Sequence, residues 1–189
     1  MIRSEATICP GLRISKPQTN LAGRKCVLRL LKFFKSIPRG ENATIDKMMN
    51  ETASRETYRI KGETVVTVDD YTSGRVFEDS LSYSFYPIDL HDEKGVKPQH
   101  LAHGKVPTIP RGALIPKGSK NIMVAGRCVS SDRLANSAAR VQASCMAMGQ
   151  AAAVTATLAA KFKMTPAEVP LGKIHAALKQ HQAIVRAKS

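Results

Sequence analysis

The sequence predicts a mixed α/β (α+β) fold for this chain of 189 residues. Apolar residues make up 43% of it, which is enough to build a core. Residues 21–35 and 141–161 have the pattern or composition of helices, while residues 55–68 and 121–125 contain short runs of strand-forming side chains. No internal repeat and no long low-complexity tract interrupts these segments. A folded domain is therefore expected rather than a repeat array or a disordered chain.

The first third of the chain is predicted to be mainly helical. Residues 1–20 contain two prolines and a glycine without any period, and are expected to form an edge segment or the tail of a strand. In residues 21–35, apolar side chains recur at helical spacing between lysines and arginines, which predicts an amphipathic helix. Pro38 and Gly40 are expected to end it, and residues 42–49 could form a short second helix.

The middle third is predicted to contain strands and loops. Valine, isoleucine and tyrosine are frequent in residues 55–68, and Lys61, Gly62 and Glu63 indicate a turn or bulge within that run. Residues 67–70 then offer a cap for a short turn. Glycines and prolines recur through residues 81–110, so a loop-rich region is expected there.

The last third carries the most regular pattern. Residues 121–125 form a short apolar run between two glycines, which predicts a buried strand of the parallel type. A polar loop and then a long helix over residues 141–161 are expected to follow. Residues 165–168 resemble a helix cap, with Thr165 as the capping residue. A final amphipathic helix would carry Ile174, Leu178 and His181, before a frayed basic tail.

Residues 141–160 are uncharged and as long as a membrane span. Their composition favours another interpretation, because alanines dominate, five side chains are polar and only one leucine is present. We expect a helix that packs closely on a sheet, not a membrane span. The small side chains in its middle would allow the backbone of another element, or a flat ligand, to approach closely.

The net charge of +14 lies in two blocks. Residues 1–60 carry twelve Lys and Arg against five Asp and Glu, and residues 101–189 carry thirteen against two. Residues 61–100 are acidic, with four against eight. One interpretation is a non-enzymatic basic module that binds nucleic acid or another anionic partner. Nucleic acid is not expected, because aromatic residues are only 5% of the chain and tryptophan is absent, so base stacking is poorly supplied.

The cysteines and histidines predict neither a metal site nor a disulfide framework. The cysteines are scattered, without a C-x-x-C pair, at Cys9, Cys26, Cys128 and Cys145. This usage fits a reducing cytoplasm. One loop holds the only cluster of possible ligands for a metal hydrolase, and a solvated charge cluster is the simpler interpretation. Its members are Asp89, His91, Asp92 and Glu93.

The region around residues 126–145 is the strongest candidate for chemistry. A glycine, Gly126, ends the predicted strand, and Arg140 directly precedes the predicted long helix. The start of a helix has backbone N–H groups without intrahelical partners and the positive end of the helix dipole. It therefore suits an anionic or electron-rich ligand, although an ordinary capped strand-helix unit would show the same spacing.

Residues 121–152 resemble the C-terminal cofactor-binding signature of a family of FAD-dependent oxidoreductases. These belong to the glutathione-reductase-like flavoprotein group and are more distantly similar to fumarate reductase flavoproteins. The resemblance extends over about residues 21–182. Its matching segments, in chain order, are Ser73-Gly74-Arg75, residues 86–91, residues 109–110, Leu114, residues 116–118, Asn121, residues 124–127, Arg140-Val141 and residues 145–152. Ala153 and Arg111 depart from the family's pattern, which commonly has a glycine and an aromatic residue there.

The resemblance implies a partial FAD/NAD(P)-binding Rossmann-like domain with part of a substrate or cap domain. Residues 1–105 would supply a helix and strands of the cap region. Residues 106–163 would form the C-terminal FAD-binding strand, loop and helix, and residues 164–189 the terminal helix and basic tail. The backbone at Gly126 would approach FAD, and Arg127 would lie near its ribityl or phosphate part.

The resemblance also implies roles for individual residues. The N–H groups around residues 141–145 would face the pyrimidine edge of the flavin ring, where a helix N-terminus stabilises the reduced anion. The implied cofactor-binding residues are Gly126, Arg127, Cys128, Arg140, Val141, Gln142, Ser144 and Cys145. The polar candidates for contact with an unidentified small-molecule substrate are Arg55, Tyr58, Tyr86 and His91, with proton transfer as a further role for His91.

The G-x-G-x-x-G fingerprint that normally holds the pyrophosphate of FAD is absent from this sequence, since no two of its glycines are two residues apart. We therefore expect the chain to be the C-terminal half of such an enzyme. It would work with a separate N-terminal half, or self-associate through the surface meant for that half. Alone, it could be inactive.

Overall fold

A computed structural model describes residues 16–52, 58–92, 95–96 and 98–185. The chain forms two compact units, one within residues 5–55 and the other within residues 56–189.

The unit within residues 5–55 is built on one helix. α1 (Lys16–Lys35) confirms the predicted amphipathic helix and begins five residues before the predicted start at Leu21. The edge segment expected over residues 1–20 is therefore wrong for residues 16–20, and its remainder lies outside the described residues. Six Lys and Arg and no Asp or Glu lie within α1.

The second helix predicted over residues 42–49 is wrong. After α1 the chain turns at Gly40, whose N–H donates to the carbonyl of Ile37 at 3.0 Å. It then returns to α1, where the N–H of Thr52 donates to Asn20 Oδ1 at 2.8 Å. The Thr52 side chain lies where a Cβ at Gly23 would be, so a larger residue at position 23 would force Thr52 to move. Thr52 therefore forms hydrogen bonds with α1, to the Asn20 side chain and the Thr19 carbonyl, and residues 42–49 form no helix of their own.

The unit within residues 56–189 combines short antiparallel strand pairs with helices. β1 (Ser80–Tyr83) pairs with β4 (Thr108–Pro110), and β2 (His91–Asp92) pairs with β3 (Gly95–Val96). A 3-10 turn, Arg111–Ala113, follows β4 directly. The helices of this unit are α2 (Val68–Ser73), α3 (Arg133–Ala139), α4 (Gln142–Phe162) and α5 (Leu171–Gln180). A mixed helix and strand architecture is therefore confirmed.

The strand predicted within residues 55–68 is wrong for its described part, residues 58–68. The N–H groups of this segment donate to several different loops: Ile60 to the carbonyl of Cys128 at 2.9 Å, and Thr64 to that of Gly112 at 3.1 Å. Because its partners change along its length, the segment makes only isolated bridges, Gly62 with Pro116 and Val66 with Ser131.

The buried parallel strand predicted over residues 121–125 is also wrong. This segment belongs to no strand, and the side chain of Ile122 is 57% exposed. The N–H of Val124 donates to the carbonyl of Leu114 at 2.8 Å. A parallel strand needs a neighbour of similar length beside it, and the described residues supply none there.

α3 lies in the region predicted to be a polar loop, and Asp132 explains why it forms. Its Oδ1 accepts the N–H of Ala135 at 2.8 Å, which caps α3, and its Oδ2 accepts the N–H of Val68, the first residue of α2, at 2.5 Å. The backbone N–H of Asp132 also donates to the carbonyl of Val66 at 2.9 Å. One aspartate therefore fixes the starts of two helices.

α2 confirms the cap predicted at residues 67–70. The side chain of Thr67 accepts the N–H of Asp70, and the Asp70 carboxylate accepts the N–H of Thr67. Such a reciprocal pair satisfies two N–H groups that the helix itself leaves without partners. The carboxylate of Asp70 also forms an ion pair with Arg75 at 2.6 Å, and these bonds outweigh the effect of burial and lower the pKa of Asp70.

α4 confirms the predicted long helix, and one of its faces joins the core. That face packs against β1 and α5, and its buried residues are Ser144, Met148, Ala151, Thr155 and Ala159. The opposite face is exposed. Among the described residues, α4 is the one helix with the length and apolarity of a membrane span, a test that core helices of soluble proteins also pass.

The cap predicted at residues 165–168 closes a turn rather than starting a helix. Oε2 of Glu168 accepts both the N–H and the hydroxyl of Thr165 at 2.8 Å. α5 begins only at Leu171, after Pro170. Ile174 and Leu178 are buried in the core, as the predicted amphipathic helix requires.

We expect the substitution Asp132→Ala to lower the free energy of unfolding by about 2 kcal/mol, because α3 loses its cap and the N–H of Val68 at the start of α2 loses its carboxylate acceptor, at about 1 kcal/mol each. Asp132→Asn keeps one carbonyl oxygen and should lose roughly half as much. The measurement is chemical denaturation followed by circular dichroism. Asp69→Ala is the control, since Asp69 is an exposed acidic residue in the first turn of α2. Equal losses for Asp132→Ala and Asp69→Ala would contradict the double cap.

Candidate functional site

The turn at Gly126 lies against the first turns of α4. Gly126 has a φ of 89°, a left-handed conformation that favours glycine, and its carbonyl accepts the N–H of Val129 at 3.1 Å. A Cβ placed on Gly126 would lie 3.9 Å from Sγ of Cys145. The structure therefore brings together Gly126 and Cys145, two predicted site residues that are 19 positions apart in the sequence.

The start of α4 is open to solvent. Its capping residue, Val141, makes no side-chain hydrogen bond to the helix, and Gln142 and Ala143 are exposed. The first N–H groups of a helix have no intrahelical partners and lie at the positive end of its dipole. The α4 start thus presents donors to any acceptor that lies beside the Gly126 turn.

Arg127 adds positive charge near this helix start. Its side chain is exposed and its charge acts on the Cys145 thiol. Burial raises the pKa of Cys145, the charge of Arg127 lowers it and the neighbouring Cys128 raises it, so that the net effect is an increase. The Cys145 thiol is therefore protonated at neutral pH, and its Sγ lies 3.3 Å from the carbonyl of Arg140.

Cys128 lies in the same turn as Gly126, and its thiol is 3.6 Å from the carbonyl of Ala125. Both Cys128 and Cys145 are half-buried and reduced. Among the described residues, no group of three or more His, Cys, Asp or Glu could hold a metal ion.

A buried chain of hydroxyl groups holds the start of α4 from inside. Oγ of Ser144 lies 2.8 Å from Oγ of Ser84, which lies 3.0 Å from the hydroxyl of Tyr71 in α2. Tyr71 also donates to the carbonyl of Tyr86 at 3.2 Å, and burial raises its pKa. The hydroxyl of Ser144 is hydrogen-bonded in the interior, so it is not available to a ligand at the start of α4.

Arg140 and Ser137 hold the segment that follows Tyr86. The guanidinium of Arg140 is buried, with 6% of the residue exposed, and Nη2 donates to the carbonyl of Asp89 at 3.0 Å. The N–H of Asp89 donates to Oγ of Ser137 at 3.1 Å. Arg140 therefore joins the end of α3 to the loop before β2, and its predicted contact with a cofactor stays a prediction.

The four predicted substrate-binding residues are less well defined. Arg55 lies outside the described residues. Tyr58 is 70% exposed, and Tyr86 is 39% exposed with its carbonyl bound to Tyr71. The backbone of His91 begins β2, while its side chain lies outside the described part of the structure. Their roles stay predictions.

Sequence reasoning missed the residues that assemble the site from within. Tyr71, Ser84 and Ser137 are ordinary in the sequence, and Ser84 and Ser144 meet although 60 positions separate them. Asp132 was detectable, because an aspartate that is followed by small helix-forming residues is a common start of a helix.

Comparison with protein families adds one finding. A family model described as FAD dependent oxidoreductase matches residues 6–178. A search of curated proteins and a search of solved structures gave no significant match.

We expect Cys145 to react with iodoacetamide slowly at neutral pH and faster as the pH rises above the ordinary cysteine value of about 8.5. Arg127→Gln removes a charge that favours the thiolate, so it should move the midpoint of this pH profile upward. The rate is measured on the Cys145 peptide by mass spectrometry. The exposed Cys26 in the same sample is the internal control. An unchanged or lower midpoint in Arg127→Gln would show that the two side chains do not interact.

Proposed function

Because the chain belongs to the family of FAD-dependent oxidoreductases, we propose that the Gly126 turn and the start of α4 form the flavin-facing part of a redox site. The observation that carries this proposal is the contact between the Gly126 turn and Cys145. A glycine in a left-handed conformation, the exposed Arg127 and the open start of α4 therefore lie near one another.

The residues present fit the electron-rich part of such a cofactor. FAD, when bound, supplies the ring that accepts and donates electrons. The N–H groups at Gln142 and Ala143 would donate hydrogen bonds to acceptor atoms beside them, and Arg127 would hold negative charge in place. The protonated thiol of Cys145 adds no negative charge to compete with an anion there.

The buried hydroxyl chain would keep these donors in position. Ser144 is tied through Ser84 to Tyr71, so the first turn of α4 cannot shift without breaking buried hydrogen bonds. Preorganised donors stabilise developing charge better than mobile ones, because they need no reorganisation during the reaction. Tyr86, whose carbonyl belongs to the same network, would bring the proposed substrate segment toward the site.

The adenine and pyrophosphate end of FAD needs a different set of residues. Since this sequence has no G-x-G-x-x-G fingerprint, we propose that another polypeptide segment supplies it. The assembled domain would have a Rossmann-like organisation of the glutathione-reductase-like type. A separate N-terminal half would complete the site for a small-molecule substrate, whereas self-association would only cover the surface meant for that half.

The proposal predicts that FAD and FMN bind this chain with affinities within a few-fold of each other. The two cofactors share the ring, the ribityl chain and the first phosphate. A site that lacks the fingerprint makes no contacts with the adenine, so the adenine adds nothing to the affinity. Flavin fluorescence quenching gives both dissociation constants. Failure of both flavins to bind would overturn the proposed site. FAD binding about tenfold tighter than FMN would show that the chain also holds the adenine end.

We expect Gly126→Ala to weaken flavin binding by about tenfold or more, because alanine disfavours a φ of 89° and its methyl group would stand in the space between the turn and Cys145. Gly104→Ala is the matched control, since Gly104 has a φ of 76° and open space around it. Both variants carry a similar backbone penalty of about 1 kcal/mol, which thermal unfolding will show. Equal flavin affinities in the two variants would rule out a role for the Gly126 turn.

A further inference from the structure

α1, the helix of the unit within residues 5–55, exposes large apolar side chains along its second half. Val27, Leu30 and Phe34 follow one another at spacings of three and four residues, which places them on one face, and Phe33 lies beside them, three residues after Leu30. Their exposed fractions run from 37% to 59%. The rings of Phe33 and Phe34 contact each other edge to face, with centroids 5.9 Å apart. We call these four residues the α1 stripe.

Positive charge surrounds the α1 stripe. All six charged residues of α1 are Lys or Arg. Arg29 lies four residues before Phe33 and Arg24 lies three residues before Val27, so a cation flanks the stripe on each side. The whole unit within residues 5–55 contains ten Lys and Arg against four Asp and Glu. The cationic character is therefore a property of the entire unit and not of α1 alone.

The charges and the apolar side chains together favour one kind of partner. A second copy of the chain would bring two cationic helices against each other, and like charges repel. Nucleic acid would match the cations but would give the leucine and phenylalanine side chains no apolar contact. The surface of a bilayer that is rich in anionic phospholipid satisfies both features, because acyl chains accept the apolar side chains and phosphates attract Lys and Arg.

The chain that returns after α1 separates a bilayer from a groove on another protein. Thr52 contacts α1 at Asn20 and Gly23. Gly23 lies four residues before Val27, so Thr52 stands on the same face of α1 as the stripe. A rigid groove that received the stripe would collide with this returning chain, whereas a fluid bilayer adapts to its shape.

We propose that α1 lies in the plane of a membrane surface that contains anionic phospholipid. The α1 stripe would enter the layer of acyl chains, while the flanking arginines would bind phosphates through their long side chains. Six charges within 20 residues favour this position over one across the bilayer. The attachment does not depend on the proposed flavin site and is measured without flavin.

The first test compares vesicles of phosphatidylcholine alone with vesicles of equal parts phosphatidylcholine and phosphatidylserine. Sedimentation of the full chain with the vesicles gives the bound fraction. We expect the mixed vesicles to bind about tenfold more tightly or better, and this binding should weaken as the salt concentration rises. Equal binding to the two kinds of vesicle, or binding to neither, would overturn the proposal.

The second test measures whether the α1 stripe enters the bilayer. The sequence has no tryptophan, so a single introduced tryptophan reports its own surroundings. On mixed vesicles the emission of Phe33→Trp should move to shorter wavelength and be quenched by brominated acyl chains. Phe85→Trp is the matched control, since Phe85 is 69% exposed and belongs to the other unit. Binding without a shift in Phe33→Trp, or equal shifts in both variants, would refute insertion of the stripe.

The third test concerns the flanking cations. The double variant Arg24→Gln with Arg29→Gln should bind mixed vesicles about tenfold more weakly or worse. Lys161→Gln with Lys179→Gln is the control, because it removes the same charge from exposed positions in α4 and α5. Equal losses in the two double variants would show that only the net charge of the chain matters, and the proposal would be wrong.

Phe33→Gln distinguishes the bilayer from the other partners. We expect this variant to bind mixed vesicles about tenfold more weakly, because an apolar side chain is lost from the acyl layer. Unchanged vesicle binding by this variant, together with displacement of the protein from vesicles by duplex DNA, would show that α1 acts through charge alone. A lipid-free dimer that Phe33→Gln converts to a monomer would identify the stripe as a contact between copies. Either result would overturn the proposal.

Discussion

The carboxylate of Asp132 is the constraint on which the rest of the larger unit depends. It accepts N–H groups at the starts of both α2 and α3, while its own N–H binds the carbonyl of Val66. Because these bonds fix two helices at one point, they also fix the segments that leave those helices. α2 presents Tyr71 to the core, and α3 leads within three residues to the start of α4.

Tyr71 and Ser144 transmit this constraint to the candidate site. They meet through Ser84, so that α2, the chain after β1 and the first turn of α4 share one buried polar network. Burying a hydroxyl group without a hydrogen-bond partner costs free energy, whereas a network in which every group is hydrogen-bonded favours one arrangement of the core. The open N–H groups of α4 therefore lie on a rigid base, and the Gly126 turn packs beside them. A flavin-facing role suits this combination of a fixed interior and an open surface.

Local patterns predicted α1, α4 and α5, missed α3, and predicted the strands poorly. α1 and α4 follow from apolar spacing and composition, and the Thr67 cap follows from short-range chemistry. The apolar run at residues 121–125 has the composition of a parallel strand, yet a strand forms only beside a partner, and that partner is not encoded in the run itself. The helix prediction at residues 42–49 was wrong for a similar reason, because a contact distant in sequence decides the structure there: Thr52 is hydrogen-bonded to Asn20 of α1.

The sequence by itself determined the family, the position of the long helix and the glycine turn that precedes it, because these depend on short motifs and on spacing along the chain. Only the tertiary structure decided that Arg140 is buried against Asp89 and that Ser144 is turned inward. These features arise from contacts between residues more than 50 positions apart. Local periodicity carries no information about such contacts, since they depend on how whole elements pack.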